Sequence, residues 1–352
     1  MRLGSFQFTP QHILGVDIGT SLLKVVELSK WGERISLKNY GALRASSLYD
    51  RPFRTFEKNT LLLSQEDIAR ALRAILQEAN IGTRRAVFSI PDFSSFFTNF
   101  TLPPMTKEEV PSAVEFEARK HIPVPLSEVT FDWQIIEGHI GRGQSVGVLL
   151  VAVPNEVIAQ YREIARLAGL VLVAMEAEVF GFIRSCVGDE RRPIVMVDIG
   201  AQSTTINAVA KKMLRMSHSV DVAGNSFTER ISQSLSLDRP EAERAKHTQG
   251  MNIAAGDRPL LSPLVDIIIG EIQKFISNFR QVERQEAAKV IIGGGTAALP
   301  GLQEYIASQI SLEVATSDPF RSVYAPAMLE SVVREMGPSY AVAVGIAMRE
   351  FF

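Results

Sequence analysis

The segment IVMVDIGAQSTTINAV, from Ile194, repeats the pattern of ILGVDIGTSLLKVVEL, from Ile13. In each copy an apolar strand runs into an aspartate, then one residue, a glycine, a group of small or hydroxyl side chains and a second β-rich strand. The pattern predicts a β-hairpin with a turn of phosphate size. Gly19 and Gly200 are expected to take φ > 0 and let the backbone approach a ligand closely. An aspartate at each strand end, Asp17 and Asp198, is placed to hold a cation. A single DIG is commonly just a turn; two copies in matching strand contexts predict a duplicated domain with one site between the halves.

The chain's 352 residues suit about two domains, and 46% apolar residues suffice for sizeable cores. A net charge of −2 leaves no electrostatic footprint for nucleic acid or an anionic membrane. The one cysteine, Cys186, excludes an internal disulfide, and its apolar, helical setting predicts a buried thiol rather than a nucleophile. The start, MRLGSFQFTPQH, lacks the apolar core of a signal peptide, and no run approaches the roughly 20 apolar residues of a membrane span, so a cytosolic protein is expected. The histidines are scattered without metal-ligand spacing.

Outward from the first hairpin, Ile35 to Leu43 reads as a third strand and Arg44 to Thr60 as a solvated loop. Ser64 and Asp67 bracket a helix start, with Ile68, Leu72, Ile75 and Leu76 as its apolar stripe. AVFSI is a strand that Pro91 ends. From Ser94 the texture changes to FFTNFTLPP, a charged helix around EFEARKH, IPVPL, TFDWQII, a glycine-rich turn and VGVLLVAVP. With a helix from Asn155 to Ala168 and a strand GLVLVAME, this reads as an inserted β/α module. After a helix from Glu176 to Val187 and the second hairpin, helices are expected at Ser226 to Ser234, at Pro240 to His247 and along Leu264 to Phe279. AAKVIIGGGTAALPGL predicts a strand, a glycine turn and a helix starting near Pro300, and Tyr340 to Phe351 a closing helix. Strands alternating with helices in both halves indicate α/β layers.

Gly293 to Ala298 also scans as GxGxxA with Glu313 about twenty residues on, as a dinucleotide unit would require. That reading puts Pro300 where a pyrophosphate helix should be running and leaves the DIG repeat unexplained. The chain has no GxxxxGK[ST] and no GxSxG.

Taken with the repeat, the glycine turn fits a third wall of one nucleotide cleft, an order of motifs that resembles the actin-like ATPase superfamily of actin, sugar kinases, MreB and FtsA. The resemblance implies an α/β, two-lobed actin-like ATPase fold of duplicated ribonuclease H-like domains that binds ATP and Mg²⁺. It implies that Asp17 and Asp198 hold hydrated Mg²⁺, that Gly19, Thr20, Ser21 and Lys24 line the phosphates from one side, and that Gly200, Ser203 and Thr204 line them from the other. Without the resemblance Lys24 reads as a solvated strand lysine. Ala201 and Gln202 stand where relatives carry a glycine pair, which predicts slow ATP turnover at most. Gly224 in VAGNSFT matches a VGGxxxT segment, Glu243 and Lys246 an ExxK that contacts ribose and adenine, and Gly294, Gly295 and Thr296 the adenosine turn. Taken alone, Glu243 and Lys246 are an ordinary i,i+3 ion pair. Glu178 matches a glutamate that positions the attacking water; Glu176 is the alternative, and either could equally serve the helix start.

The run LPPMTKEEVPSAVEFEARKHIPVPLSEVTFDWQII, with DIGTSLLKVVEL, MEAEVF, DIGA and YAVAVGIAMR, is similar to the PilM family of type IV pilus assembly proteins. That likeness implies lobe I over residues 1–190 with an FtsA-type inserted subdomain at about 94–172, and lobe II over 191–352 with a smaller subdomain at about 220–289. It implies a cytoplasmic scaffold, peripheral at the inner membrane, that docks the N-terminal cytoplasmic segment of a PilN-like inner-membrane protein between the inserted subdomain and the lobe I core. Pilus assembly ATPases and self-association are further expected contacts. FtsA itself fits less well, since nothing after Phe352 is left for its C-terminal membrane helix. An actin-like metabolic kinase, which needs a general base beside an acceptor hydroxyl, and a polymerising cytoskeletal protein are the alternatives.

Overall fold

In the computed structural model, residues 10–48, 52–55, 60–140, 143–256 and 258–352 are described. The leader reading of residues 1–9 and parts of the 44–60 stretch lie outside them. Strands β1 (Gln11–Ile18) and β2 (Leu22–Trp31) pair antiparallel through the first DIG turn, and β3 (Arg34–Arg44) continues the meander. Ser64 opens α1 (Gln65–Glu78) by accepting the Asp67 N–H at 3.1 Å, and the predicted stripe is buried. The expected solvated loop before α1 contains a core anchor instead. Phe53 is fully buried, its N–H donates to Thr20 O at 3.0 Å, and its carbonyl accepts from Leu62 N at 2.9 Å. Strand β4 (Arg85–Ile90) then returns parallel to β1.

Here the chain leaves the sheet. β5 (Phe96–Leu102), α2 (Val110–His121), β6 (Val129–Glu137) and β7 (Val146–Pro154) form a separate antiparallel sheet in the order β5-β7-β6 with α2 on one face. The period of two in β7 decides both faces: Val148 and Leu150 pack under α2, Leu149 and Val151 against the main core. Next, α3 (Asn155–Leu167) packs on α1, and β8 (Val171–Ala177) pairs parallel with β4. The sequence reading carried the insertion to about residue 172. Sheet pairing ends it at Pro154, because β8 takes its hydrogen bonds from the first sheet.

After α4 (Glu178–Cys186) the plan repeats. β9 (Ile194–Ile199), β10 (Thr204–Ala210) and β11 (Met213–Val220) form a second meander, followed by α5 (Gly224–Leu235), α6 (Arg239–Gln249) and α7 (Ser262–Glu283). β12 (Lys289–Gly293), α8 (Leu302–Gln309), β13 (Glu313–Thr316) and α9 (Glu330–Met348) complete the chain. The first sheet runs β8-β4-β1-β2-β3 and the second β13-β12-β9-β10-β11, each an antiparallel meander extended by two parallel strands. The two sheets are therefore one topology used twice.

Three local readings change. Pro300 lies outside α8, because Gly301 at φ 78° precedes its first helical residue. Phe227, Ile231, Ala242 and Phe275 share a cluster with Val195 and Val197 of the second sheet, so these residues of the expected 220–289 subdomain pack into the second sheet's core. Helix α9 starts ten residues before Tyr340, and it packs on β1, β2 and α4, with Val344 and Ile346 in the same cluster as Ile13 and Val26. The end of the chain thus packs chiefly on the first sheet, in a cluster that also takes in Met196 and Ile291 of the second.

Candidate functional site

The two DIG turns are closed by the same hydrogen bond, Gly19 N–H to Leu22 O at 3.1 Å and Gly200 N–H to Ser203 O at 3.0 Å. Neither glycine has positive φ, contrary to the sequence expectation. A Cβ would come 2.8 Å from Leu22 O at the first and 2.9 Å from Ser203 O at the second. Glycine is required because the chain folds tightly on itself across the turn.

In lobe I, Asp17 and Lys24 are direct cross-strand partners in the β1/β2 register. Lys24 Nζ donates to Asp17 Oδ2 at 2.7 Å and to the Ser339 carbonyl of α9 at 2.8 Å, while Ser89 Oγ donates to Asp17 Oδ1 at 2.8 Å. The carboxylate is 3% exposed, so these partners carry the cost of burying its charge. Lys24, a solvated strand residue on its local sequence, is thereby a partly buried bridge between the hairpin and α9. The carbonyls of Thr20 and Ser21 accept from Phe53 N and Ala45 N, each at 3.0 Å, which ties the first turn to the segment after β3.

In lobe II, three elements meet at Gly200. Its carbonyl accepts from Gly224 N at 3.1 Å and from Thr296 Oγ1 at 2.8 Å, and Thr296 N–H donates to Ile199 O at 3.0 Å. Gly294, at φ 87°, lies so close to Asp198 that a Cβ would stand 2.3 Å from its Oδ1, and its N–H donates to Pro338 O at 2.9 Å. Gly295 beside it is exposed. Ser203, Ala201 and Gln202 are partly exposed. Thr204 is fully buried and donates to Val222 O at 2.7 Å, so its hydroxyl props the turn from behind.

Lys246 is 4% exposed and donates to Gly224 O at 3.1 Å, Thr228 Oγ1 at 2.8 Å and Glu243 Oε2 at 2.8 Å. Glu243 and Lys246 are thus part of the wall behind Gly224 and more than a surface pair. Burial works to raise the Glu243 carboxyl, but His247, Lys246 and Thr228 outweigh it and hold the group well below the usual carboxylate range. From lobe I, Arg44 reaches Glu243 Oε1 at 3.9 Å, which joins the two lobes at this point.

Glu178 is the first residue of α4 and accepts the Asp92 N–H at 3.4 Å, while Asp92 Oδ1 accepts the Val179 N–H at 3.0 Å. The two carboxylates cap each other's backbone across two elements. Glu176 is committed elsewhere, gripped by Arg184 at 2.6 and 2.7 Å. Burial pushes the Cys186 thiol up to about 12, which suits an inert core residue. Sequence reasoning missed Ser89, Ser339, Phe53, Arg44 and Asp92. Only Ser89, a hydroxyl inside the apolar strand AVFSI, carried a local signal.

Duplicated meander-plus-parallel sheets, joined by α4 and α9 and closed by paired DIG turns, define an actin-like, two-lobed fold. The family described as type IV pilus assembly protein PilM matches residues 15–351, and the chain belongs to that family. The structure of a PilM-PilN type IV pilus biogenesis complex is similar over 96% of this chain and 98% of its own, with 25% identity and a TM-score of 0.83. The ethanolamine utilization protein EutJ from Carboxydothermus hydrogenoformans shares 16% identity over 97% of this chain and 90% of its own, at a TM-score of 0.60. The MamK double helical filament shares 14% identity over 97% of this chain and 98% of its own, at 0.54. These last two likenesses show the fold.

Proposed function

We propose that the chain is an ATP-binding scaffold of type IV pilus assembly, with the nucleotide between its lobes and the N-terminal cytoplasmic segment of a PilN-like inner-membrane protein at its inserted sheet. One observation carries the nucleotide reading: Lys24 of lobe I and Gly294 of lobe II donate to consecutive carbonyls of α9, Ser339 and Pro338. The two aspartate turns are thus built onto one piece of backbone, as a ligand shared between lobes requires. The residues fit a nucleotide: Gly294 and the exposed Gly295 leave a wall without side chains, and Lys24 supplies a cation at the first turn.

No group of three or more His, Cys, Asp or Glu able to chelate a metal occurs among the described residues. Asp17 and Asp198, one at each turn, would hold a hydrated Mg²⁺ that arrives with the phosphates, where it would neutralise their charge. Asp17 keeps Lys24 oriented, the Gly200 node fixes the second turn, and Glu178 stands at the α4 N-terminus as the candidate for positioning water. Turnover is slow at most, and the nucleotide acts chiefly by stabilising the closed lobes.

For the partner, a cavity of about 430 Å³ opens between β6 of the inserted sheet and α3, lined by Thr130 of β6 and by Asn155, Ile158, Arg162, Glu163 and Arg166 of α3. An extended segment would gain main-chain hydrogen bonds there and pockets for alternate side chains. No helix among the described residues is long and apolar enough to cross a membrane. On this reading the partner holds the scaffold on the cytoplasmic side, peripheral at the inner membrane, with pilus assembly ATPases and further copies of itself as additional contacts. The test is calorimetric titration of Mg-ATP and of a synthetic peptide of that segment. Saturable binding of both supports the assignment, and the absence of either removes the corresponding half.

A further inference from the structure

Two β-bulges from different sheets meet in this molecule. In β11 the pairing with β10 skips from Met216 to Leu214, leaving Arg215 as the extra residue. In β6 the pairing with β7 skips from Ile135 to Glu137, leaving Ile136 extra. A bulge re-aims a side chain and breaks the ladder locally. Here each makes the other's contact: Arg215 Nη2 donates to the Ile136 carbonyl at 3.3 Å and Nη1 lies 3.6 Å from Glu137 Oε2. Asn99 of β5 completes the joint by donating to the Arg215 carbonyl at 2.5 Å. All three bonds run from lobe II to the inserted sheet.

Arg215 is 7% exposed, and its Nε has no hydrogen-bond partner among the described residues. On the neighbouring strand Asn207 is 1% exposed, and neither amide atom is paired among the described residues. Its register partner Met196 belongs to the main core cluster, so Asn207 faces the same side as the inserted sheet. Polar side chains are thus buried on this side of the second sheet beside the apolar contacts of the main core.

The joint also lies on a continuous path. β10 begins at Thr204, directly after the second DIG turn, and β11 hydrogen-bonds along it to Arg215. β6 runs from Thr130 in the α3 cavity to Ile136 at the joint. We propose that Arg215 is a positioning residue that couples the nucleotide cleft to the partner groove, so that closing lobe II on nucleotide fixes β6 and strengthens binding of the segment. The inference rests on the proposed function and specifies how one of its sites regulates the other. Coupling of this kind is reciprocal, each ligand raising the other's affinity by the same factor.

The experiment measures peptide affinity with and without saturating Mg-ATP, and nucleotide affinity with and without saturating peptide. The wild-type chain is expected to show one common factor of about fivefold or more in both directions. Arg215→Met keeps the buried aliphatic length and removes the fork. In it each ligand alone should bind within about twofold of wild type, while the coupling factor falls to about one. Asn99→Ala, which alters an exposed side chain, should reduce the factor and carries the test if Arg215→Met does not fold. Both ligands binding the wild type with no mutual effect, or full coupling surviving in the folded variants, overturns the role of Arg215. Failure of a ligand to bind the wild type at all is a different result, which removes the proposed function and the coupling with it.

Discussion

A Cβ added to Gly345 would lie 1.7 Å from the carbonyl oxygen of Gly181, so α9 and α4 cross backbone against backbone. α4 leads the chain into the second lobe and α9 returns it to the first, so the two connections between the lobes meet at this crossing. Arg184 reinforces it by donating to the Gly345 carbonyl at 2.9 Å.

Gly345→Ala should force the two helices apart. The clash is with backbone, which lacks the freedom of a side-chain tip, so a loss of about 2 to 3 kcal/mol is expected, at the upper end of overpacking costs. Urea unfolding at pH 7 measures it. A midpoint equal to wild type would mean that the helices are free to separate at no cost.

Lys24→Ala should weaken Mg-ATP binding roughly ten- to hundredfold, the worth of one charge-assisted hydrogen bond of about 1.5 to 3 kcal/mol. It should also destabilise the unliganded chain, because Asp17 at 3% exposure loses its paired cation. Asp17→Ala and Asp198→Ala should weaken Mg-ATP as well. Calorimetry paired with urea unfolding separates the two effects of Lys24→Ala, and unchanged ATP affinity in all three variants would remove the cleft assignment.

Stability should depend on pH through Glu243. Its folded pKa lies below that of an unfolded glutamate, about 4.3. The stabilisation is therefore fully present above that pH and is lost as pH falls through the folded value. Glu243→Gln should be less stable than wild type at pH 7, with the gap between their urea midpoints narrowing from about pH 5 downward. A gap that stays constant to pH 3 would contradict the assignment.

ATP turnover by the isolated chain should stay below about 1 s⁻¹, the low end of ordinary enzymes. Ala201 and Gln202 keep side chains at the second turn, and Glu178 is occupied with the Asp92 N–H. Phosphate release assayed without partner checks this. Glu178→Gln should lower the residual rate while leaving Mg-ATP affinity unchanged.

Replacing residues 96–153 with a short linker should leave a cooperatively melting chain. Phe96 is paired with Ala152 across adjacent antiparallel strands, so the entry and exit of the insertion are about 5 Å apart. A deletion carried to residue 172 should abolish cooperative melting, since it removes α3 and the start of β8 from the first sheet. Circular dichroism melts of the two deletions compare them directly.

Local chemistry made the hairpins legible. An apolar strand entering Asp, a spaced Gly and a second β-rich strand specify a tight turn wherever they occur, and finding the pattern twice announced the duplication. The α1 and α7 stripes were legible for the same reason, since amphipathic periodicity reports one buried face. Partners far apart along the chain were decided only by tertiary structure. Val171–Ala177 reads as a strand in any context, yet whether it closes the insertion or extends the first sheet depends on which edge offers free hydrogen bonds, and β4 does. The apolar end of α9 announces burial without saying against which lobe. Lys24 has the sequence environment of a solvated strand residue and became a partly buried bridge because Ser339, 315 positions later, brings a carbonyl to it. Period and turn chemistry act over a few residues and can be read from them; pairing, burial and charge compensation are settled between segments that meet only when the chain has folded.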